Sequence, residues 1–445
     1  MTMTHARNID LPTALAEAEE QYRAANPKSF AQHRAACAAM PGGNTRASIY
    51  VDPFPLTIAR GDGALLWDLD GHQYSDFLSE FTAGIFGHSH PAIRRAITEA
   101  LDYGLNFGAH NEAEARFAAA VCARFPGIEL VRFTNSGTEA NLTAVSAARA
   151  ITGRSKILVF GGGYHGGVFY FRGHGSAINA PFDYLLGRYN DLDAALELVR
   201  PHRADLAAIL VEPMQGTTGC IPAERAFLDG LRELADATGA FLIFDEVMTS
   251  RLAPGGLQEV HGILPDLTKL GKYVGGGVSF GAFGGRADIM ERFDPRRPDA
   301  FQHAGTFNNN ALTMNAGYVG LTEIYTPERA RALNRSGDDL RARLNGIAER
   351  HRLAMQFTGL GSMMSVHMTD RPIRSEEDAA RGSSELRDLF WFDLLGSGIW
   401  FAKRGMFALS IALDKSDADK LAGAVEDFAQ TRGRLFAAAG KSSEE

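Results

Sequence analysis

The hydrophobic and polar positions divide the chain into three parts that differ in periodicity. In the first part, apolar residues recur at helical spacing between Leu11 and Ala18, which predicts a helix. Two turn signals, Gly61-Asp62-Gly63 and Asp70-Gly71, then separate short strand-like segments and predict hairpins. The N-terminal part is therefore expected to contain helices followed by a small antiparallel sheet.

Between about residues 90 and 315, short apolar strands alternate with helical stretches. The clearest predicted strands are Lys156–Phe160, Leu206–Glu212 and Phe241–Phe244, and a helix is predicted over Ala226–Ala237. Continuous apolar strands separated by helices favour a mainly parallel sheet covered on both faces. In such sheets the chemistry takes place beyond the carboxyl ends of the strands.

The third part, after Thr326, is predicted to be a smaller α+β region. It begins with a helix over Arg329–Arg350 and includes a strand near Met406–Ser410. A capping box of Ser416 and Asp419 is predicted to start the last helix. The polar final residues, 440–445, are expected to be disordered.

Composition narrows the class of protein. A chain of 445 residues with 45% hydrophobic and 22% charged residues is typical of a soluble protein with two packed regions. It lacks the run of about 18 apolar residues that a membrane span needs. A polar N-terminus argues against secretion, and three scattered cysteines favour reduced thiols in the cytoplasm. A net charge of −8 disfavours nucleic acid, and no residues at metal-ligand spacing predict a metal site.

A small polar loop runs into an alanine-rich helix at Ser136-Gly137-Thr138. Free backbone N–H groups and the positive end of the helix dipole make such a start suitable for an anion, and the hydroxyls of Ser136 and Thr138 add donors. The alternative is an ordinary N-capped helix.

Two charged residues in the same α/β part are candidates for the chemistry. Asp245 directly follows Leu242-Ile243-Phe244, where it could pair with a protonated pyridine nitrogen; the alternatives are a metal ligand or a helix cap. Lys272 stands between Gly271 and a triple glycine, so that the backbone can approach a bulky planar ligand and the amine can become nucleophilic. Lys269 is expected on the surface or behind the site.

Three further residues fit a pocket for a flat, phosphorylated ring. Tyr164 could stack on one face of the ring and Val247 could press on the other, although Tyr164 is also compatible with core packing. Thr306, after Gly305, is a second candidate phosphate donor, or else an ordinary turn threonine. Together with Asp245 and Lys272, these residues indicate pyridoxal 5′-phosphate. This cofactor is an effective electron sink when its pyridine ring is protonated.

These motifs, in this order, resemble the class III (ω-type) aminotransferases of pyridoxal-phosphate fold type I, from about Gln21 to Arg432. The resemblance implies an α/β fold with a mainly parallel, seven-stranded sheet in a large domain, 86–325. It also implies a smaller α+β domain built from both termini, 1–85 and 326–445.

The resemblance also implies roles for individual residues. Lys272 would form the Schiff base with the cofactor, Asp245 would bind the pyridine nitrogen, and Glu212 would orient neighbouring side chains. The remaining cofactor-binding residues would be Ser136, Gly137, Thr138, Tyr164, Val247 and Thr306. In this family a threonine at the position of Thr306 reaches the partner subunit's phosphate, which implies a homodimer with shared active sites.

Two subfamilies of the class III aminotransferases are similar to this sequence. Pro41-Gly42-Gly43 and Gly281–Arg286 resemble glutamate-1-semialdehyde aminomutases. Three other features favour aromatic β-amino-acid aminotransferases: Gly305–Asn310, the residues Val247–Pro254, and Lys403-Arg404-Gly405. The stretch between Tyr164 and Tyr189 also looks shorter than the aminomutase loop, and a transaminase must release its keto product rather than retain it.

Two arginines are the candidate substrate-binding residues. Arg46 resembles the arginine that holds the donor's carboxylate, and Arg404 resembles the one that binds the acceptor's α-carboxylate and swings aside for an aryl group. Either could instead be a solvated surface residue. The expected reaction is transamination of a 3-amino-3-phenylpropanoate-type donor with 2-oxoglutarate, and the alternative is aminomutase activity.

Overall fold

The computed structural model describes residues 10–439. The N-terminal part contains helices α1 (Leu11–Ala25) and α2 (Pro27–Cys37) and strands β1 (Ile58–Asp62), β2 (Leu65–Asp68) and β3 (Gln73–Asp76). Asp10 caps α1 by accepting a hydrogen bond from the N–H of Thr13. The predicted N-terminal helix and antiparallel sheet are therefore both present.

The middle of the chain alternates between strands and helices. Its elements are α3 (Pro91–Tyr103), α4 (Glu112–Arg124), β4 (Leu130–Thr134), α5 (Gly137–Thr152), β5 (Lys156–Phe160), β6 (Asp183–Gly187), α6 (Leu192–Val199), β7 (Leu206–Val211), β8 (Met214–Gln215), β9 (Ile221–Pro222), α7 (Arg225–Thr238), β10 (Phe241–Asp245), α8 (Gly256–His261), β11 (Leu267–Gly271), β12 (Gly281–Gly285), α9 (Ala287–Met290) and α10 (Ala311–Val319).

Seven of these strands form one sheet in the order β4-β12-β11-β10-β7-β5-β6. Strand β12 runs antiparallel to both of its neighbours, and the other recorded pairings are parallel. Both faces are covered, because Leu158 and Phe160 of β5 pack into one buried cluster while Ile157 and Val159 pack into another. The predicted α/β fold with a mainly parallel, seven-stranded sheet is confirmed.

The C-terminal part returns to the N-terminal part. Its elements are α11 (Pro327–Arg350), β13 (Gln356–Leu360), β14 (Met363–His367), α12 (Glu376–Ala379), α13 (Ser384–Gly396), β15 (Ile399–Trp400), β16 (Met406–Ala408) and α14 (Lys415–Ala439). Strand β15 pairs with β3, and one apolar core joins residues of α1 with residues of α13 and α14. The N-terminal and C-terminal parts therefore share one core, and the domain bounds of 1–85, 86–325 and 326–445 stay a prediction.

One predicted detail is wrong, and others lie outside the described range. Ser416 and Asp419 do not form the cap of the last helix, because α14 begins at Lys415 and the carboxylate of Asp414 accepts the N–H groups of Ser416 and Asp417 at 2.7 and 3.1 Å. The predicted disorder of 440–445 concerns residues beyond position 439. Within residues 10–439, no helix is long and apolar enough to cross a membrane.

Candidate active site

The carboxyl ends of four neighbouring strands bring the predicted chemistry to one edge of the sheet. Asp245 is the last residue of β10, and Lys272 directly follows β11. Glu212 follows β7, and Tyr164 lies in the segment after β5. Because these strands are parallel and adjacent, residues far apart in sequence meet beyond the same edge.

The start of α5 faces this edge. The hydroxyl of Ser136 accepts the N–H of Glu139 at 3.2 Å, so Ser136 is the N-cap of the helix. Gly137 and Thr138 are the first helical residues, whose N–H groups have no partner within a helix. The hydroxyl of Thr138 also accepts the N–H of Gly167 at 3.2 Å. The capping alternative for Ser136 is therefore observed, and it leaves a helix N-terminus suited to an anion.

Val247 lies between the helix start and the end of β11. A side chain at Gly137 or Gly271 would lie only 3.2 or 3.1 Å from the Val247 methyl groups. Glycine at both positions therefore lets Val247 contact both the start of α5 and the backbone next to Lys272.

Four buried polar side chains, Asn141, His165, Asp245 and Lys269, surround the end of β10; we call them the carboxylate cluster. The carboxylate Oδ2 of Asp245 accepts from Asn141 Nδ2 at 3.1 Å and lies 2.8 Å from His165 Nδ1. The Lys269 ammonium is 3.5 Å from the same oxygen. Asn141 additionally donates to the carbonyls of Gly137 and His165, so the cluster ties the helix start to the sheet.

The partners of Asp245 keep it ionised. Burial alone would raise the pKa of Asp245, but the Lys269 charge and the hydrogen bonds from His165 and Asn141 outweigh burial and hold that pKa well below its usual range. Burial lowers the pKa of His165 and lowers that of Lys269 to about 8. Asp245 therefore stays a carboxylate in a buried setting.

Sequence reasoning missed part of this cluster. Asn141 and His165 were given no role, whereas Lys269 occupies one of its two predicted places, behind the site, because it is fully buried next to Asp245. The available signals were the four-residue spacing of Gly137 and Asn141, which places them on one face of a helix, and the position of His165 directly after Tyr164.

Lys272 and Glu212 are titratable groups with shifted pKa values. Burial and the nearby Arg404 charge lower the pKa of Lys272 to about 8, and its Nζ donates to the carbonyl oxygen of Phe81 at 3.0 Å. Burial and the Asp245 charge raise the pKa of Glu212 to about 8. An amine with a lowered pKa is more often unprotonated near neutral pH, and the unprotonated amine is the form that attacks an aldehyde carbon.

Tyr164 lies at the mouth of the site. Its ring is partly exposed and packs edge-on against Tyr170, with the ring centroids 6.0 Å apart. Its main-chain N–H donates to the Glu212 carboxylate at 3.3 Å. The ring is therefore not part of the core, contrary to the core-packing alternative, and Glu212 orients its backbone.

Arg46 and Arg404 converge on one aromatic ring. Their guanidinium carbons lie 5.8 and 4.5 Å from the centroid of the Phe81 ring, and we call Arg46, Phe81 and Arg404 the arginine rim. Arg46 forms an ion pair with Glu80. Burial lowers the pKa of Arg404 to about 10, and its guanidinium is 3.8 Å from the Met406 sulfur. In the described part of the chain, no carboxylate pairs with Arg404.

Thr306 does not stand at the strand ends that carry Asp245 and Lys272. It is exposed, in the segment before α10, and the neighbouring Asn308 accepts a hydrogen bond from Asn135 at 2.9 Å. Large apolar side chains are exposed around the same segment: Tyr103 is 84%, Phe107 51% and Phe307 56% exposed. Apolar surface of this kind marks interaction sites on soluble proteins.

The chemistry of these groups fits pyridoxal 5′-phosphate. A protonated pyridine nitrogen needs a lasting counter-charge, which Asp245 supplies, and an aldehyde needs an amine of lowered pKa, which Lys272 supplies. A phosphate needs hydrogen-bond donors, which the N-terminus of α5 supplies. These groups lie near one another beyond the strand ends, where such sheets bind their cofactors.

Comparison with known proteins identifies the class of enzyme. A family model for "Aminotransferase class-III" matches residues 47–414, so the chain belongs to the class III aminotransferases. It is an aminotransferase that uses pyridoxal 5′-phosphate. A solved structure described as a transaminase with this cofactor bound is 32% identical, with a TM-score of 0.83 over 93% of this chain and 98% of that one.

Two relatives bear on the subfamily. The β-phenylalanine transaminase of Variovorax paradoxus is 52% identical over 98% of this chain and 99% of its own length. Its crystal structure matches with a TM-score of 0.94, over 96% of this chain and 99% of that one. A glutamate-1-semialdehyde 2,1-aminomutase of Salinibacter ruber is more distant, at 39% identity over 81% of this chain and 86% of its own.

Proposed function

We propose that this enzyme transfers the amino group of an aromatic β-amino acid, of the 3-amino-3-phenylpropanoate type, to 2-oxoglutarate. The observation that carries the proposal is the arginine rim, in which two guanidinium groups and an aromatic ring stand beside Lys272. Such a set suits a donor with one carboxylate and one aryl group, and an acceptor with two carboxylates. The 52% identity to a β-phenylalanine transaminase supports it.

The cofactor roles follow from the site's chemistry. Asp245 would bind the pyridine nitrogen, and the N–H groups of Gly137 and Thr138 at the start of α5, with Ser136 beside them, would bind the phosphate. Val247 would contact one face of the ring and Tyr164 the other. The support for the role of Val247 is that it packs against Gly137, at the start of α5, and against Gly271, next to Lys272.

Lys272 would bind the cofactor and then handle the proton. When bound, pyridoxal phosphate withdraws electrons from the carbon that carries the amino group. The Lys272 amine would take the proton from that carbon on Nζ as general base, and as general acid would give it up to the cofactor rather than to the carbon it came from. The Phe81 carbonyl holds Nζ in place, and a pKa of about 8 leaves the amine able to do both near neutral pH.

The arginines would bind the two substrates in turn. Arg46 would hold the donor's carboxylate in place of its present partner, Glu80. Arg404 would bind the α-carboxylate of 2-oxoglutarate, and its lack of an ion pair leaves it free to move aside for an aryl group. Glu212 would orient Tyr164 through the main-chain hydrogen bond.

We also propose that the enzyme is a homodimer in which Thr306 donates to the phosphate in the partner subunit. The exposed position of Thr306 and the apolar side chains of Tyr103, Phe107 and Phe307 around it support a second copy as the covering surface. The cytoplasm is the proposed location, since Cys37, Cys122 and Cys220 are free thiols.

One assay tests the proposed reaction. Purified enzyme with pyridoxal phosphate is given 3-amino-3-phenylpropanoate with and without 2-oxoglutarate, and keto acid and glutamate are measured. We expect both products in a one-to-one ratio, and only when 2-oxoglutarate is present. Isomerisation of glutamate-1-semialdehyde without an added keto acid, together with no reaction of the β-amino acid, would instead establish the aminomutase alternative.

A further inference from the structure

The turn Ser79–Thr82 has an unusual backbone. Its four residues, none of them glycine, have φ angles of 47, 49, 52 and 83°, all in the left-handed region. L-residues adopt this region reluctantly because Cβ approaches the following carbonyl oxygen, and consecutive examples are rarer still. Strained backbone of this kind persists only where the surrounding structure imposes it.

The surroundings impose it through hydrogen bonds on both sides of Ser79. The Asp76 carboxylate accepts the N–H groups of Leu78 and Ser79, each at 2.9 Å. The Ser79 hydroxyl donates to the carbonyl of Ala408 in β16 at 2.9 Å, and the Ser79 carbonyl accepts the N–H of Gly84 at 2.8 Å. The turn is thereby attached to the C-terminal part of the chain as well as to its own neighbours.

The consequence of the strain is the placement of Phe81. Its carbonyl oxygen receives the hydrogen bond from Lys272 Nζ, and its ring lies under the guanidinium groups of Arg46 and Arg404. The ring is only 8% exposed. Three cations with separate tasks therefore contact one residue that has no charge of its own.

We propose that Phe81 is the specificity-determining residue of the arginine rim, resting on the function proposed above. Its ring holds the Arg404 guanidinium when a carboxylate is bound, and it receives the donor's aryl group when Arg404 moves aside. Cation–π contact and ring-to-ring contact use the same π surface, so one face serves both substrates in turn. Because Arg404 rests on this ring and the Met406 sulfur rather than on a carboxylate, its displacement breaks no ion pair.

Binding of unreactive acids separates this role from catalysis. Glutarate mimics the dicarboxylic acceptor and 3-phenylpropanoate mimics the aryl donor, and their dissociation constants are measured by titration of the holoenzyme. For Phe81→Leu we expect both constants to rise about fivefold to tenfold, the effect of one lost π contact in a partly dry site. Phe81→Tyr, which keeps the ring, is expected to stay within about twofold of wild type.

Phe77→Leu is the matched control, since Phe77 belongs to the apolar core shared by both termini and contacts neither arginine. It is expected to lower the melting temperature without changing either dissociation constant. The effect of Phe81→Leu on glutarate should also disappear in an Arg404→Gln background, because the ring then has no guanidinium to hold. Should Phe81→Leu fail to bind pyridoxal phosphate, Phe81→Met takes its place in the same comparison.

The outcomes distinguish the two proposals. If wild type binds neither acid, the proposed function is wrong. If wild type binds both acids and Phe81→Leu binds them equally well, the role of Phe81 is wrong. An equal loss in the wild-type and Arg404→Gln backgrounds would show that Phe81 acts only by general packing, and it would also overturn the inference.

Discussion

The carboxylate cluster and the arginine rim both lie near Lys272 and are built in opposite ways. Asp245 and its partners in the cluster are buried and joined to one another by hydrogen bonds and an ion pair. In the rim, Arg46 is half exposed, and Arg404 rests on a ring and a sulfur. A rigid arrangement suits a cofactor that is the same in every turnover, whereas a loosely paired one suits two unlike substrates.

Replacing Lys272, which lies near both the carboxylate cluster and the arginine rim, should have the largest effect on turnover. Lys272→Ala should lower the turnover number by at least about 10⁴-fold, because it removes both the cofactor's anchor and the proton-transferring amine. Turnover and the visible absorbance of the bound cofactor are the measurements. Lys415→Ala, at an exposed lysine, is the control and should behave as wild type. Normal turnover by Lys272→Ala with the cofactor bound would contradict the assigned role.

The need for the buried charge of the carboxylate cluster is tested by Asp245→Asn. Loss of that charge should lower kcat by about 10²- to 10³-fold, because the protonated pyridine nitrogen would then lack its counter-charge. The depressed pKa of Asp245 means that its stabilisation is present above the usual carboxyl pKa and is lost only as pH falls through the depressed value. Wild-type kcat should therefore show no loss from this group between pH 7 and 5. Equal kcat in both proteins would contradict a need for the charge.

The adaptability of the rim is tested by comparing its two arginines. Arg404→Gln should raise KM for 2-oxoglutarate by about 10- to 100-fold and leave KM for the β-amino acid nearly unchanged. Arg46→Gln should raise KM for the β-amino acid by a similar factor. Steady-state kinetics with each substrate varied give the four values. Identical patterns for both variants would show that the rim does not divide the substrates in this way.

A smaller effect is expected at Glu212. Its pKa of about 8 lies above the usual carboxyl value, so the protonated form stabilises the fold at low pH, and that stability is lost as pH rises from the usual carboxyl pKa to about 8. Glu212→Gln cannot ionise and should keep its melting temperature between pH 5 and 8, whereas wild-type apoprotein should lose stability over that range. Parallel melting curves against pH would contradict the raised pKa.

Much of the framework was predictable from local patterns. Strand β5 occurs where predicted, with both ends correct, because a continuous apolar run that begins after Lys156 and ends at Gly161 has few other interpretations. The cap of α14 was misplaced by two residues, since Asp414 and Ser416 are both good caps and only the backbone geometry selects between them. Asp245 was identifiable because it follows a predicted strand, and Lys272 because glycines flank it and it comes after that strand and Asp245 in the same α/β part.

By itself, the sequence determined the fold class, the cofactor and the family, because these depend on periodicity and on the order of short motifs along the chain. Only the tertiary structure showed that Lys269 is buried behind Asp245 and that Arg46 and Arg404 share the ring of Phe81. The physical reason is that burial, ion pairing and cation–π contact depend on distances between residues that lie tens to hundreds of positions apart in the chain. Lys272, too, owes its lowered pKa first to burial and then to the charge of the distant Arg404.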